Sequence, residues 1–153
     1  MTAPAASSEA FFIRAAVPAN LAAIAQLLEY AKLPSADICE SLLRYFQVAH
    51  DDNGVLGAVG LEIYERVALL RSLVVSHECR GRGVGAKLTV EALSLARNAG
   101  CRSVYLLTTT ASAFFEAHGF HAIGRDDAPE AIRSTTQFSA LCPSTAVLMV
   151  KHE

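Results

Sequence analysis

The residues best placed to do chemistry are Arg80-Gly81-Arg82-Gly83-Val84-Gly85. Three glycines at alternate positions leave backbone N–H groups unshielded, so the main chain can close on a phosphate oxygen. Two arginines add full positive charges. Glycines after a strand also make ordinary turns, and a turn alone would account for the spacing. Two other phosphate signatures are absent. The gap before the third glycine is one residue short for a dinucleotide-fold fingerprint, and no Gly-Lys-Ser/Thr follows. Two further charges stand out because they interrupt apolar runs. Glu62 lies in Val55 to Tyr64, and Arg71 lies in Leu69-Leu70-Arg71-Ser72-Leu73. A buried charge needs a partner, so Arg71 reads either as an ion pair with Glu62 or Glu65, or as a fork for an oxyanion.

These residues need elements to hold them. An apolar strand, Leu69 to Val75, leads into the glycines, and a helix-forming segment, Ala86 to Ala99, leads out. A helix at that point adds free N-terminal donors and the positive end of its dipole. Val84, Leu88, Ala92, Leu95 and Ala99 recur on one face of it, and Gly100 stops it. The next strand, Arg102 to Thr108, is reached across a helix and is expected to run parallel to the previous one.

Upstream, Phe11 to Ala15 reads as a first strand. Pro18 and Asn20 open a helix whose Leu21, Ile24, Leu27 and Leu28 repeat at helical spacing. Leu33 to Asp37 breaks that pattern, and a second helix is expected from about Ala36 to Arg44. Asn53-Gly54 between apolar runs predicts a hairpin joining Tyr45–Ala49 to Val55–Tyr64, and a turn at Glu65-Arg66 leads to Val67–Ser76. Downstream come a short helix, Ser112 to His118, and a strand within Gly119–Gly124. A polar loop with one helical turn follows over Arg125–Ser139, and a last strand covers Thr145–Lys151.

The chain has 153 residues and a formal net charge of -2. That is the length of one domain with a real core, and no basic surface argues for nucleic acid. No run of about 20 apolar residues predicts a membrane span. Residues 1–10 read as a disordered lead-in, without a signal pattern, and 11–153 as the domain. Cys39, Cys79, Cys101 and Cys142 are widely spaced, which argues against a zinc site or a disulfide framework. No metal is expected, and reduced cytoplasmic thiols are the default.

Strand, Arg-Gly-x-Gly-x-Gly, helix resembles the pyrophosphate loop of the GNAT superfamily of N-acetyltransferases. Arg80, Gly83 and Gly85 match its Arg/Gln-x-x-Gly-x-Gly/Ala pattern. Val104 to Thr110 followed by Phe114-Phe115-Glu116-Ala117-His118-Gly119-Phe120 resembles the superfamily's strand and aromatic helix ending in Gly-Phe. The resemblance covers about Ile13 to Val150. It implies a single α/β domain of α+β type, with a mixed, mostly antiparallel sheet flanked by helices. It also implies acetyl-CoA as co-substrate and a small-molecule amine as acceptor. Dimers are common among such relatives. Leu70 to Val75, Leu106 to Ala111 with Phe114-Phe115, and Gln137 to Pro143 further resemble the arsenic-resistance N-acetyltransferases, relatives of the glutamate N-acetyltransferase domain. That implies a small anionic amino acid or glutamate analogue as acceptor.

The resemblance assigns roles. Arg80, Gly81, Arg82, Gly83, Val84, Gly85 and Ala86 would hold the diphosphate. Leu73, Val74 and Val75 would pair with the pantetheine amides as a strand edge, near Thr108 and Phe115. The main-chain N–H of Val74 or Val75 would stabilise the oxyanion. The amine must lose a proton, and Glu62 is the candidate base, although alternation also allows it to face solvent. Arg71 and Arg133 are candidate grips on the acceptor. Phe115 stands where many relatives carry a tyrosine that protonates the leaving thiolate. Another donor, or unassisted departure of the thiolate, must serve here. Two other readings remain open: acetylation of an ordinary amino acid, and a non-catalytic acyl-CoA sensor.

Overall fold

The computed structural model describes residues 10–153, so nearly all of the expected lead-in over 1–10 lies outside the described residues. Among the described residues seven strands form one sheet: β1 (Phe12–Ala15), β2 (Phe46–Asp51), β3 (Gly54–Tyr64), β4 (Val67–Val75), β5 (Ser103–Thr108), β6 (His121–Ile123) and β7 (Val147–His152). Their spatial order is β1-β2-β3-β4-β5-β7-β6. Only β4 and β5 pair in parallel, and every other neighbouring pair is antiparallel. The helices are α1 (Leu21–Tyr30), α2 (Val84–Asn98), α3 (Ser112–Ala117) and α4 (Glu130–Arg133). This is the mixed, mostly antiparallel architecture expected.

Helices cover both faces of the sheet, and each face has its own core. Val84, Leu88, Ala92, Leu93 and Ala96 of α2 pack on Val59, Leu61, Leu70 and Leu106. On the opposite face, Ile24 and Leu28 of α1 pack on Phe46, Val48, Ala58 and Val74. Ile132 of α4 closes a third cluster with Leu69, Tyr105, Leu148 and Val150. Each fully buried aliphatic side chain of this kind stabilises the fold by about 1.5–3 kcal/mol. The buried face of α2 is turned from the expected one: Leu93 and Ala96 are buried, while Ala99 is exposed.

Three local expectations are corrected. The segment after α1 makes turns and a 3-10 helix over Glu40–Tyr45, not a second α-helix from Ala36 to Arg44. Its Asp37 side chain is drawn onto Arg71 of β4, and Cys39 is extended. The β2–β3 hairpin forms, but its two linking residues are Asp52 and Asn53. The Asp51 carboxylate accepts the Asn53 N–H at 2.8 Å, and Gly54 takes the positive φ of 127°. The late polar segment is more helical than expected, with a 3-10 turn at Arg125–Asp127, then α4, then a π-turn at Gln137–Leu141.

Candidate active site

The site begins where β4 and β5 part company. They pair from Val67↔Ser103 to Leu69↔Tyr105 and no further. Beyond that point β4 stays with β3 as far as Val75, and β5 stays with β7 as far as Thr108. A bulge in β4 drives the separation. Two residues, Ser72 and Leu73, oppose the single Val59, and Ser72 takes a left-handed φ of 60°. Such a bulge bends its strand and raises the local twist. The gap between the strands is a cleft of about 670 Å³ lined by Leu70 to Val75 on one side and Leu106 to Ala111 on the other.

One end of the cleft is the glycine loop. Gly81 and Gly83 adopt φ of 86° and 79°, a conformation that disfavours any side chain. Gly83 caps α2, and the first helical turn closes when the Lys87 N–H reaches the Gly83 carbonyl at 3.1 Å. The N–H groups of Val84, Gly85 and Ala86 therefore have no acceptor within the helix. They sit at the positive end of a 15-residue helix. A Cβ on Gly85 would touch Val75 Cγ2 at 3.5 Å, so this loop abuts the β4 edge. Arg80 is exposed beside it, and Arg82 donates to Cys79 Sγ at 3.5 Å.

The phase of β4 decides which main-chain groups face the cleft. Ser76 N–H donates to Leu56 O of β3 at 2.6 Å. Successive residues of a strand point their N–H groups to opposite sides. Val74, paired with Ala58, therefore turns its N–H to β3, and Val75 turns its N–H to the cleft. The expectation that Val74 supplies the oxyanion donor is corrected on this ground: of the two candidates, only Val75 has its N–H on the cleft side. The Val74 side chain is core, buried under α1.

Arg71 is fully buried and its fork is taken. Nη1 and Nη2 donate to both oxygens of Asp37 at 2.6 Å, Nη1 also reaches Glu62 Oε2 at 2.7 Å, and Nε donates to Ser72 Oγ at 3.0 Å. Glu62 also accepts the Tyr64 hydroxyl. The Arg71 hydrogen bond holds the Asp37 carboxyl below its ordinary range, against a smaller opposing effect of burial. Burial works against the Arg71 charge, but Asp37 and Glu62 outweigh it and push its pKa up. Burial, and then Glu62, push the Tyr64 phenol up. The Glu62 pairing matches one of the two sequence readings of Arg71. The fork is engaged within the chain and does not stand open to an acceptor. Glu62, with both oxygens engaged, is not among the residues that line the cleft.

The chain matches the acetyltransferase (GNAT) domain over residues 43–122. It is 31% identical over 111 residues to an uncharacterised N-acetyltransferase of Chlorobaculum tepidum, covering 71% of each chain. The chain belongs to the GNAT acetyltransferase family. It also shares 35% identity over 88 residues with a Bacillus subtilis protein named as a candidate phosphinothricin acetyltransferase, covering 50% of this chain and 53% of that one. Among solved structures, the N-acetylglutamate synthase of Neisseria gonorrhoeae, complexed with coenzyme A and N-acetylglutamate, superposes with a TM-score of 0.80 at 22% identity. That match covers 94% of this chain but only 35% of the synthase. A Mycobacterium tuberculosis protein solved with CoA superposes at 0.79 with 21% identity, covering 93% and 99% of the two chains. At such identities these likenesses establish the fold.

Thr108 lines the cleft, and its Oγ1 accepts the Ala111 N–H at 3.0 Å, capping the turn into α3. Phe115 also lines it and is buried, stacked edge-on against Phe114 and Phe120 at 5.1 and 5.7 Å between ring centroids. No hydroxyl can reach the cleft from that position. Arg133 is exposed on α4 and does not line the cleft, so the structure does not bring it to Arg71. Sequence reasoning missed Lys32, Asp37 and Gln137. Asp37 binds Arg71 across 34 positions in sequence, a separation that no local pattern reveals. Lys32 and Gln137 both line the cleft. Gln137 opens the π-turn and accepts the Cys142 thiol at 3.4 Å. Such turns often mark functional sites, but nothing in residue type foretells one.

Proposed function

We propose that this GNAT chain transfers acetyl from acetyl-CoA to the amine of a small anionic amino acid, glutamate or a glutamate analogue of the phosphinothricin or arsinothricin kind. The observation that carries the reading is the β4–β5 fork with the glycine loop at one end of it. The loop and the first turn of α2 suit the diphosphate, since glycine conformation and unpaired N–H groups both favour a bound anion. Arg80 and Arg82 would add charge. The free edge of β4 at Leu73 and Val75 would take the pantetheine amides as an added strand.

On this reading the acceptor amine attacks the thioester carbonyl. A C–N bond forms, the C–S bond breaks, and the Val75 N–H stabilises the oxyanion between them. One such donor is worth about 10²–10³ in rate. The amine's proton leaves through water, because Glu62 is engaged by Arg71 and Tyr64. Thiols ionise within a few units of neutrality, so the thiolate leaves without a phenol at position 115. Asp37, Glu62 and Arg71 act as positioning residues that hold the β4 bulge and the loop after α1.

The candidate phosphinothricin acetyltransferase relative and the fold shared with N-acetylglutamate synthase support the acceptor class. So does the wall of the cleft, where Lys32 is exposed and, among the described residues, no carboxylate takes part. Phe115 favours a second reading, a sensor that binds acyl-CoA without turning it over. Release of coenzyme A thiol from acetyl-CoA, measured over L-glutamate, phosphinothricin and other amines, separates the two. Tight binding with no thiol released on any amine would decide for the sensor.

A further inference from the structure

Three helices of this chain end in the same way. After each, one residue adopts a left-handed conformation, and two N–H groups reach back to carbonyls of the last turn. At the end of α2 the left-handed residue is Gly100, with φ 90°, and its N–H and that of Cys101 bond to Arg97 and Ala96, each at 3.0 Å. At the end of α3 it is Gly119, with φ 95°, and its N–H and that of Phe120 bond to Glu116 and Phe115 at 3.0 and 3.1 Å. At the end of α1 it is Lys32, with φ 61°, and its N–H and that of Leu33 bond to Glu29 and Leu28 at 3.1 and 2.9 Å. The lysine carries a conformation that a Cβ disfavours, in the place where the same chain twice uses glycine. Of the three caps, only the one holding Lys32 lines the cleft. Strain of this kind collects where a side chain is needed.

The charges of the cleft leave a task for it. Arg80 belongs to the glycine loop at one end. Arg71 is held by Asp37 and Glu62, whose carboxylates are both turned onto it. The loop that carries Lys32, Leu33 and Pro34 into the wall of the cleft runs on to Asp37, whose carboxylate is held on Arg71 in the middle of β4, whereas the glycine loop follows the Val75 end of that strand. Lys32 is exposed, and of the cations lining the cleft among the described residues it alone belongs to neither the Arg71 cluster nor the glycine loop.

We propose that Lys32 determines acceptor specificity by pairing with the anionic side-chain group of the incoming amino acid. This rests on the acetyltransferase reading above and names the residue that would read the acceptor's charge. A flexible ammonium suits a compact oxyanion and needs no fixed fork.

The test is steady-state kinetics with acetyl-CoA on the full chain, using L-glutamate, phosphinothricin and neutral L-glutamine, together with thermal unfolding. The wild type is expected to prefer L-glutamate and phosphinothricin to L-glutamine. Lys32→Gly should raise KM for the two anionic acceptors about tenfold to a hundredfold, the range of one charge-assisted hydrogen bond. The same substitution relieves the left-handed lysine and should raise Tm by about 2–4 °C. Lys32→Arg should recover most of the anionic preference. A raised KM for the anionic acceptors together with a higher Tm separates a recognition role from a merely structural one. An unchanged KM in Lys32→Gly, or a wild type that takes L-glutamine as readily as L-glutamate, overturns the proposal and leaves acetyl transfer standing. Absence of thiol release on all three amines overturns the reading beneath it.

Discussion

Replacing Asp37 with alanine tests how the Arg71–Ser72 part of the cleft wall is held. The Arg71 side chain is fully buried, and Asp37 meets it with two hydrogen bonds of 2.6 Å. Removing one partner of a buried pair destabilises a protein by about 3–5 kcal/mol, because the other charge is left uncompensated. Two features reduce that figure here. The Asp37 side chain is 22% exposed, and Glu62 remains 2.7 Å from Arg71. We therefore expect a loss of about 2–3 kcal/mol, a fall in Tm of about 5–10 °C for a domain of this size. Urea unfolding at pH 7 measures it. In an Arg71→Leu background the same substitution should have little effect, giving a coupling of about 2 kcal/mol between the two sites. The pair's contribution should survive 1 M salt, since buried pairs are screened weakly. Its pH dependence has a definite sign. The folded Asp37 carboxyl lies below its unfolded value of about 3.9, so its stabilisation is complete above that pH and fades as the pH falls further. A coupling below about 0.5 kcal/mol would show that Arg71 needs no partner at position 37.

Other outcomes follow from single contacts. Gly60→Ala should destabilise by about 2 kcal/mol or more, because its Cβ would lie 2.1–2.4 Å from the buried Phe46 ring, and chemical denaturation will read it. Gly83→Ala forces a side chain into φ 79° and should lower Tm and weaken CoA binding together, whereas Gly85→Ala, whose Cβ meets only ordinary contacts at 3.5 and 3.8 Å, should fold normally; calorimetry with CoA compares them. Iodoacetamide should label exposed Cys39 first, since the Ser41 hydroxyl lowers its pKa, and Cys101 last, since burial raises that thiol. Peptide mapping of a time course gives the order.

The parts of the site that were legible in sequence are those that local chemistry enforces. Gly81 and Gly83 read as a cradle because only glycine takes their φ freely, and Val84, Leu88 and Ala92 announce a helix that must follow. Parallel pairing of β4 and β5 followed from the helix between them. What was illegible depends on partners far away in sequence or on a phase of one residue. Val74 and Val75 are both apolar, and only the Ser76–Leu56 hydrogen bond tells which N–H faces the cleft. The left-handed Ser72 and Lys32 carry no mark in residue type, and helix-stop reasoning looks for glycine at such positions. Asp37 read as part of a break between helices, because its function exists only once Arg71 stands opposite it.

Coenzyme A is expected to lie with its diphosphate on the main-chain amides that open α2 and its arm along β4. Titration of the ¹⁵N-labelled protein with coenzyme A tests this most directly. The amide signals of Gly83, Val84, Gly85, Ala86 and Val75 should move at saturation, and that of Val74, bonded to β3, should move far less. Signals from the glycine loop that stay in place at saturating coenzyme A would show that the diphosphate does not bind there.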